Sequence, residues 1–261
     1  MRTQARELPK ATAPSVLKAV RLLDELAASR DPLSLGDLSA RMALPKSSTL
    51  SLCTSLTVTG LLRRFDDGTY HLGTRVVDLA HAYLARTDLT REFALALDAC
   101  PALNEAGAVL TIRDGAEVVY VACRNSGQAI GLTYRIGMRL PVSCTASGKA
   151  LISTLDDAAV RALFRGHPLP RLTARSHRSV KALVADLQNV RRLGYARDDE
   201  ETHPGMCCFG VPIHDPDNGP VLAAVAVSTI KGQMTLPRQE ETIAALKDLA
   251  RALQNRMKLL R

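Results

Sequence analysis

Three stretches of the chain hold side chains whose types and spacing could do chemistry. In the first, Lys46, Ser47, Ser48, Leu50 and Ser51 put one cation, three hydroxyls and one aliphatic group within two helical turns, and Arg63-Arg64 follows closely. Cations and hydroxyls contact phosphates and base edges, and an aliphatic side chain can meet a thymine methyl, so this set suits the reading of duplex DNA. The second, Ser147-Gly148-Lys149, offers a hydroxyl beside an amine, the makings of a serine–lysine nucleophile, but without a defined base or oxyanion site. The third is the acidic run Asp198-Asp199-Glu200-Glu201 with His203 and Cys208. It carries donors for a metal, and a solvated strand-to-loop segment explains it more simply. The six histidines make no H-E-x-x-H pattern. No catalytic residue, metal or cofactor is therefore expected.

The first set needs two helices and a hairpin to hold it. Ser34 and Asp37 form a helix-start signature, and Leu35, Leu38 and Met42 then share one face. Ala43-Leu44-Pro45 breaks that helix, and Pro45 suits the first position of the next, where a missing N–H costs nothing. Thr49, Leu52, Cys53 and Leu56 recur at core spacing, which turns Lys46, Ser47, Ser48, Leu50, Ser51 and Ser55 outward. After Gly60, Leu61–Phe65 and Thr69–Leu72 flank Asp66-Asp67-Gly68, a strong hairpin signal. Helix-turn-helix followed by a basic hairpin is the winged-helix arrangement, with one helix in the major groove and the hairpin along the backbone or minor groove. An ordinary helical subdomain with a surface hairpin is the alternative.

At 261 residues, two domains are the natural expectation, and 46% hydrophobic with 23% charged residues supports a packed core. No apolar run reaches the length of a membrane span, and the N-terminus lacks the apolar centre of a secretory signal. Six cysteines without a C-x-x-C pair fit reduced thiols, so a cytoplasmic protein is expected. The net charge is +8. Residues 1–87 carry 12 Lys/Arg against 8 Asp/Glu, and the remaining 174 carry 22 against 18. Positive charge is thus denser near the N-terminus, which supports the DNA reading without carrying it.

Along the chain, residues 1–13 read as a flexible arm with Arg2, Arg6 and Lys10. A helix from Pro14 or Ser15 is expected to turn Val16, Val20, Leu23 and Ala27 to one side. Thr74 to Arg86 reads as a stiff helix whose apolar residues Val76, Val77, Ala80, Tyr83 and Leu84 need a partner, for which a second copy is the economical choice. From Asp88 onward, helices are expected at 89–104 (interrupted near Pro101), 145–155, 157–164, 179–193 and 236–260. Strands are expected at 108–113, 117–123, 195–198, 206–214 and 221–229, with Ile130-Gly131-Leu132 as a short extra one. Asp217-Asn218-Gly219 marks a turn. Paired antiparallel strands with covering helices indicate an α+β domain.

In this order and spacing, several short stretches resemble the IclR family of bacterial transcriptional regulators over nearly all of residues 15–257. They are Leu44–Ser48, Gly60–Arg64, Tyr70–Gly73, Gly137–Pro141, Ala146–Ala150, Gly194–Glu201 and Pro204–Cys208. The resemblance implies an α+β chain in four parts: the arm at 1–13, an N-terminal winged helix-turn-helix domain at 14–73, a linker helix at 74–87, and a C-terminal GAF-like effector-binding domain at 88–261. It implies double-stranded operator DNA as partner, a homodimer or dimer of dimers, and control of catabolic genes by a small organic or aromatic acid. By the same likeness the effector pocket draws on Ala146, Ser147 and Gly148, on Asp198 and Cys208, and on Ala226 and Ser228. Helix-start N–H groups and the hydroxyls of Ser147 and Ser228 suit a carboxylate. A plain helix cap, a strand-end charge and a core cysteine are the alternative reading of those residues.

The chain departs from the family at Leu50-Ser51, where polar or basic residues are common, so the operator cannot be borrowed from relatives. Ala226, Val142, Phe209 and Met138 suggest an effector with an apolar or aromatic portion. A small-molecule enzyme, or a ligand sensor with a vestigial DNA-binding domain, is the rival class; Arg63-Arg64 argues against the second.

Overall fold

Reciprocal capping sets the first unit. The computed structural model describes residues 13–85, 89–127, 133–215 and 221–259, in two compact units, Met1–Arg86 and Thr87–Arg261. In the first, α1 (Pro14–Ala28) precedes a two-residue strand β1 (Leu33–Ser34), α2 (Leu35–Met42) and α3 (Lys46–Val58). Ser34 Oγ accepts from Asp37 N at 3.2 Å while Asp37 Oδ2 accepts from Ser34 N at 3.0 Å, closing the cap of α2 from both sides. Ala43 turns the chain in the left-handed region (φ 51°). Pro45 is the N-cap of α3 rather than its first residue, and its carbonyl receives Thr49 N at 3.0 Å. The hairpin forms as β2 (Leu62–Arg64) and β3 (Thr69–Leu72), and β3 also pairs with β1, which the sequence did not disclose. Gly73 closes the wing against its root: a Cβ there would stand 2.0 Å from the Gly60 carbonyl oxygen.

Leu22, Leu26, Leu33, Leu38, Met42, Cys53, Leu56, Leu62 and Tyr70 form one core. The expected face of α1 is corrected by it. Val16 and Val20 are exposed, and Ala19, Leu22, Leu23 and Leu26 face inward, because Leu22 and Leu26 carry the larger side chains to bury. α4 (Arg75–Ala85) ends the unit with Val77, Leu79 and Tyr83 exposed.

The second unit opens with α5 (Leu89–Asp98) and a 3-10 turn at Pro101–Leu103, where the proline ends the expected longer helix. A six-stranded antiparallel sheet follows, built from β4 (Gly107–Asp114), β5 (Glu117–Arg124), β6 (Arg139–Pro141), β7 (Ala196–Asp199), β8 (Met206–His214) and β9 (Val221–Ile230) in the order β6-β5-β4-β9-β8-β7. β6 was not expected; the proposed strand at 130–132, the turn at 217–219 and the arm at 1–12 lie outside the described residues. α6 (Ala146–Ile152), α7 (Asp157–Leu163) and α8 (Val180–Leu193) pack over the face that presents Val109, Cys208 and Ala226. Strand alternation sends Phe209 to the other face, where its ring meets Tyr195 and Lys247 of α9 (Leu236–Leu259) lies over Tyr195. Thr145, Asp156 and Ser179 cap α6, α7 and α8.

Candidate functional site

In the first unit, α3 exposes Lys46, Ser47, Ser48, Leu50 and Ser51 on one face. Its hydroxyls divide into two groups. Thr54, Ser55 and Thr57 donate back to the carbonyls of Leu50, Ser51 and Cys53 at 2.9, 3.0 and 2.7 Å. Among the described residues, Ser47, Ser48 and Ser51 form no such internal bond, so their hydroxyls stay available to an external acceptor. Leu50 is 44% exposed beside them, an aliphatic group at the surface on the flank of the face that buries Thr49, Cys53 and Leu56. On the wing, Arg63 and Arg64 both point to solvent. Arg63 lies over the Phe65 ring at 4.8 Å and Arg64 over Tyr70 at 5.9 Å, so each guanidinium is held against an aromatic face. Buried Tyr70 anchors that support in the core. The unit thus joins a small hydroxyl-bearing helix face to a pair of braced cations.

In the second unit, cross-strand register assembles the other site. Cys208 on β8 pairs with Ser228 on β9 and with Asp198 on β7, so the three lie side by side across the sheet. Ala226 pairs with Val109 one row away. α6 lies on this face because two positions lack a side chain. A Cβ on Gly210 would stand 2.5 Å from the Ala146 carbonyl, and one on Gly148 would stand 2.4 Å from Val142 Cα. Thr145, Ala146 and Ser147 therefore form a roof over the row. Tyr120 and Tyr134 close the side, stacked at 5.4 Å and 13° between ring planes. The space between these walls measures about 10 Å³. α6 has only seven residues, so its dipole is short and hydroxyls supply much of the polarity.

Asp198 is not part of a solvated segment: it is buried, and its Oδ1 accepts the backbone N–H of Glu201 at 2.7 Å and of Thr202 at 3.2 Å. Burial pushes its carboxyl above the usual range against those hydrogen bonds. Burial likewise pushes the Cys208 thiol well above its ordinary value, which keeps it neutral. Glu201 is buried too and meets Lys149, whose Nζ lies 2.5 Å from Glu201 Oε1 and 2.8 Å from Asp186 Oδ2. Burial opposes the charge on Lys149, but the two carboxylates hold its pKa above the ordinary lysine value. Burial also opposes the Asp186 carboxylate, yet His177 and Lys149 outweigh it and bring its pKa to about 2. Lys149 is thereby committed to two acids on the far side of α6 from the cavity, and gives Ser147 no base. The acidic run with His203 and Cys208 does not converge either. Glu200 and Asp199 instead share Lys231; of His177, Asp186 and Glu201, whose ligand atoms do lie within 4.8 Å of one another, the two carboxylates already hold the Lys149 ammonium.

Of the expected pocket residues, Ala146, Ser147, Asp198, Cys208, Ala226 and Ser228 line the cavity. Gly148 is buried behind it and acts by permitting close packing. Val142 and Phe209 belong to the packed interior and Met138 to its edge, none of them to the cavity lining. The aromatic walls are Tyr120 and Tyr134 instead, joined by Val109, Thr145 and Thr202. Tyr120 was within reach of strand alternation from buried Val118. Tyr134 sits outside any periodic segment and gave no signal.

Two family models match the chain: the IclR helix-turn-helix domain over residues 15–65 and the bacterial transcriptional regulator IclR C-terminal domain over residues 81–255. A curated relative, the HTH-type transcriptional regulator XynR of Escherichia coli K12, is 32% identical over 84% of this chain and 87% of its own. The solved Agobacterium tumefaciens repressor BlcR is 36% identical with a TM-score of 0.62, covering 94% of this chain and 98% of its own. An IclR homologue from Microbacterium hydrocarbonoxydans, solved in complex with 4-hydroxybenzoate, shares the fold at a TM-score of 0.82 with 23% identity, covering 94% and 99% of the two chains.

Proposed function

This chain belongs to the IclR family of bacterial transcriptional regulators, and on that premise we propose how its two units divide the work. α3 enters the major groove of operator DNA. Lys46 meets phosphate, Ser47, Ser48 and Ser51 meet phosphates or base edges, and Leu50 meets a thymine methyl. Arg63 and Arg64 follow the flanking backbone. Two copies of the chain act together, through the exposed apolar side of α4 that carries Leu79 and Tyr83, so that two recognition helices meet two half-sites. Oligomers beyond the dimer are built on that pair. The protein controls genes and is not an enzyme.

The cavity of the second unit is the effector site. The observation that carries this reading is its composition: Ser147, Asp198, Cys208 and Ser228 line one small cavity together with two stacked tyrosine rings. Convergent polar groups beside aromatic walls are what a small organic ligand requires. The effector is a small carboxylic acid, and an aromatic one suits the tyrosine walls. Its binding shifts the balance between forms of the chain that hold the operator well and poorly.

The test is a double dissociation. Purified protein is titrated against DNA upstream of its gene, with a genome-wide selection if that fragment is not preferred, and then challenged with short and aromatic acids. K46A and R63A are expected to weaken operator binding and leave effector affinity intact. S147V and D198N are expected to leave operator binding intact and abolish release by effector. Loss of both properties in either pair would refute the division.

A further inference from the structure

The cavity is far too small for the ligand it is built to receive. About 10 Å³ has room for roughly one water molecule, whereas small-molecule sites commonly run to about 300 Å³ or more. Some wall must move. The floor cannot, since Cys208, Ser228 and Asp198 sit on three neighbouring strands of a continuous ladder. The roof is closely seated as well, since α6 packs on the sheet where neither Gly210 nor Gly148 has room for a Cβ. The Asp198 turn is pinned by the N–H groups of Glu201 and Thr202.

Tyr134 differs from all of these. Its backbone is fixed by Asn125, whose Oδ1 accepts Tyr134 N–H at 2.8 Å and whose Nδ2 donates to the Tyr134 carbonyl at 3.1 Å. Its ring is buried in the core, and the specific contacts on it are one neutral hydrogen bond, the hydroxyl donating to Ser228 Oγ at 2.6 Å, and the stack on Tyr120. Rotation about Cα–Cβ with the backbone still would vacate the space of a whole phenol. That space would keep the flat face of Tyr120 on one side and the Ser228 hydroxyl at its end.

We propose that Tyr134 is an internal occupant of the cavity, and that the effector is a hydroxylated aromatic compound that takes its place against Tyr120 and Ser228. This rests on the reading of the cavity as the effector site. The side chain then sets specificity twice: its shape is the template of the ligand, and its hold on Ser228 fixes how much ligand is needed. An effector without a ring fails to replace the stack on Tyr120. Apparent affinity is the intrinsic affinity reduced by the fraction of molecules in which Tyr134 has swung out.

The experiment uses the full chain and two probes: 4-methylphenol, which is the tyrosine side chain as a free molecule, and 4-hydroxybenzoate. Calorimetry is expected to show Y134A binding 4-methylphenol at least about tenfold more tightly than the wild type, and about fivefold more tightly than toluene, the factor expected of one neutral hydrogen bond. Y134F keeps the ring and loses only its hold on Ser228, so it should bind 4-hydroxybenzoate about fivefold more tightly than the wild type. A folded Y134A that takes up 4-methylphenol no better than the wild type overturns the proposal. So does a Y134F affinity for 4-hydroxybenzoate equal to or weaker than wild type, which would make the Tyr134 hydroxyl a ligand contact or a bystander. Failure of the underlying site reading looks different: S147V and D198N would then respond to effectors as the wild type does, whatever Tyr134 does.

Discussion

Replacing Lys149 by methionine removes a charge and almost no volume, so its effect isolates the electrostatics behind the cavity's roof. The wild-type ammonium is 1% exposed and lies 2.5 Å from Glu201 and 2.8 Å from Asp186. K149M leaves the buried Glu201 carboxylate without a counter-charge, and breaking such a pair from one side costs about 3–5 kcal/mol. For a unit of this size that is a fall in melting temperature of roughly 6–20 °C. The damage also reaches the site, since the Glu201 N–H is one of the two donors that fix Asp198. Effector affinity should therefore fall with stability, while operator binding by the first unit persists below the new melting point. Two controls separate charge from packing. Burial already pushes the Glu201 carboxyl above the usual range, and losing Lys149 pushes it further, so the K149M penalty should shrink as pH falls from 7.5 to 5 and Glu201 takes up a proton. Adding E201Q to K149M should recover much of the loss at neutral pH. Thermal melts and urea unfolding at both pH values give the answer. A K149M penalty below about 1 kcal/mol, or one identical at pH 5 and 7.5, would refute the reasoning.

Three further outcomes follow from the same geometry. G210A places a methyl 2.5 Å from the Ala146 carbonyl and should cost about 1–3 kcal/mol; because α6 must lift off the sheet, calorimetry should also show weakened effector binding, and a neutral substitution would mean that α6 is not seated as described. Asp186 has a folded pKa near 2, below its ordinary value of 3.8. Its contribution is present above the ordinary value and fades as pH falls toward 2, so the stability gap between wild type and D186N should narrow through that window in acid unfolding, and a constant gap would contradict it. R63A and R64A should each reduce the slope of log affinity against log salt by roughly 0.9 if each guanidinium neutralises one phosphate, and an unchanged slope would remove the wing from the DNA backbone.

Local rules carried much of the first unit. The Ser34–Asp37 cap, the Asp66-Asp67-Gly68 turn and the spacing of Thr49, Cys53 and Leu56 each report an interaction a few residues long, and all three formed where the sequence placed them. The outward set on α3 followed from the same spacing. Local rules failed where faces competed. α1 has apolar residues nearly all round, and only the presence of α2 and β3 decided that Leu22 and Leu26 rather than Val16 and Val20 are buried.

The cavity divides in the same way. Resemblance carried over Ser147, Asp198, Cys208 and Ser228 as separate points on the chain; only the register of β7, β8 and β9 makes three of them neighbours in one row. Lys149 and Glu201 are 52 positions apart, and nothing in the acidic run hinted that Glu201 turns inward to a lysine while Asp199 and Glu200 turn to Lys231. Tyr134 is the clearest case. Its hydrogen bond to Ser228 spans 94 positions and begins in a segment without periodicity, so no pattern could announce it. The sequence alone determined most of the elements and the outward set on α3, because helix spacing, caps and turns are written within a few residues, and its motifs determined the family. Which side chains share the cavity, and which of them fills it, depended on contacts between distant strands, and the tertiary structure alone decided that.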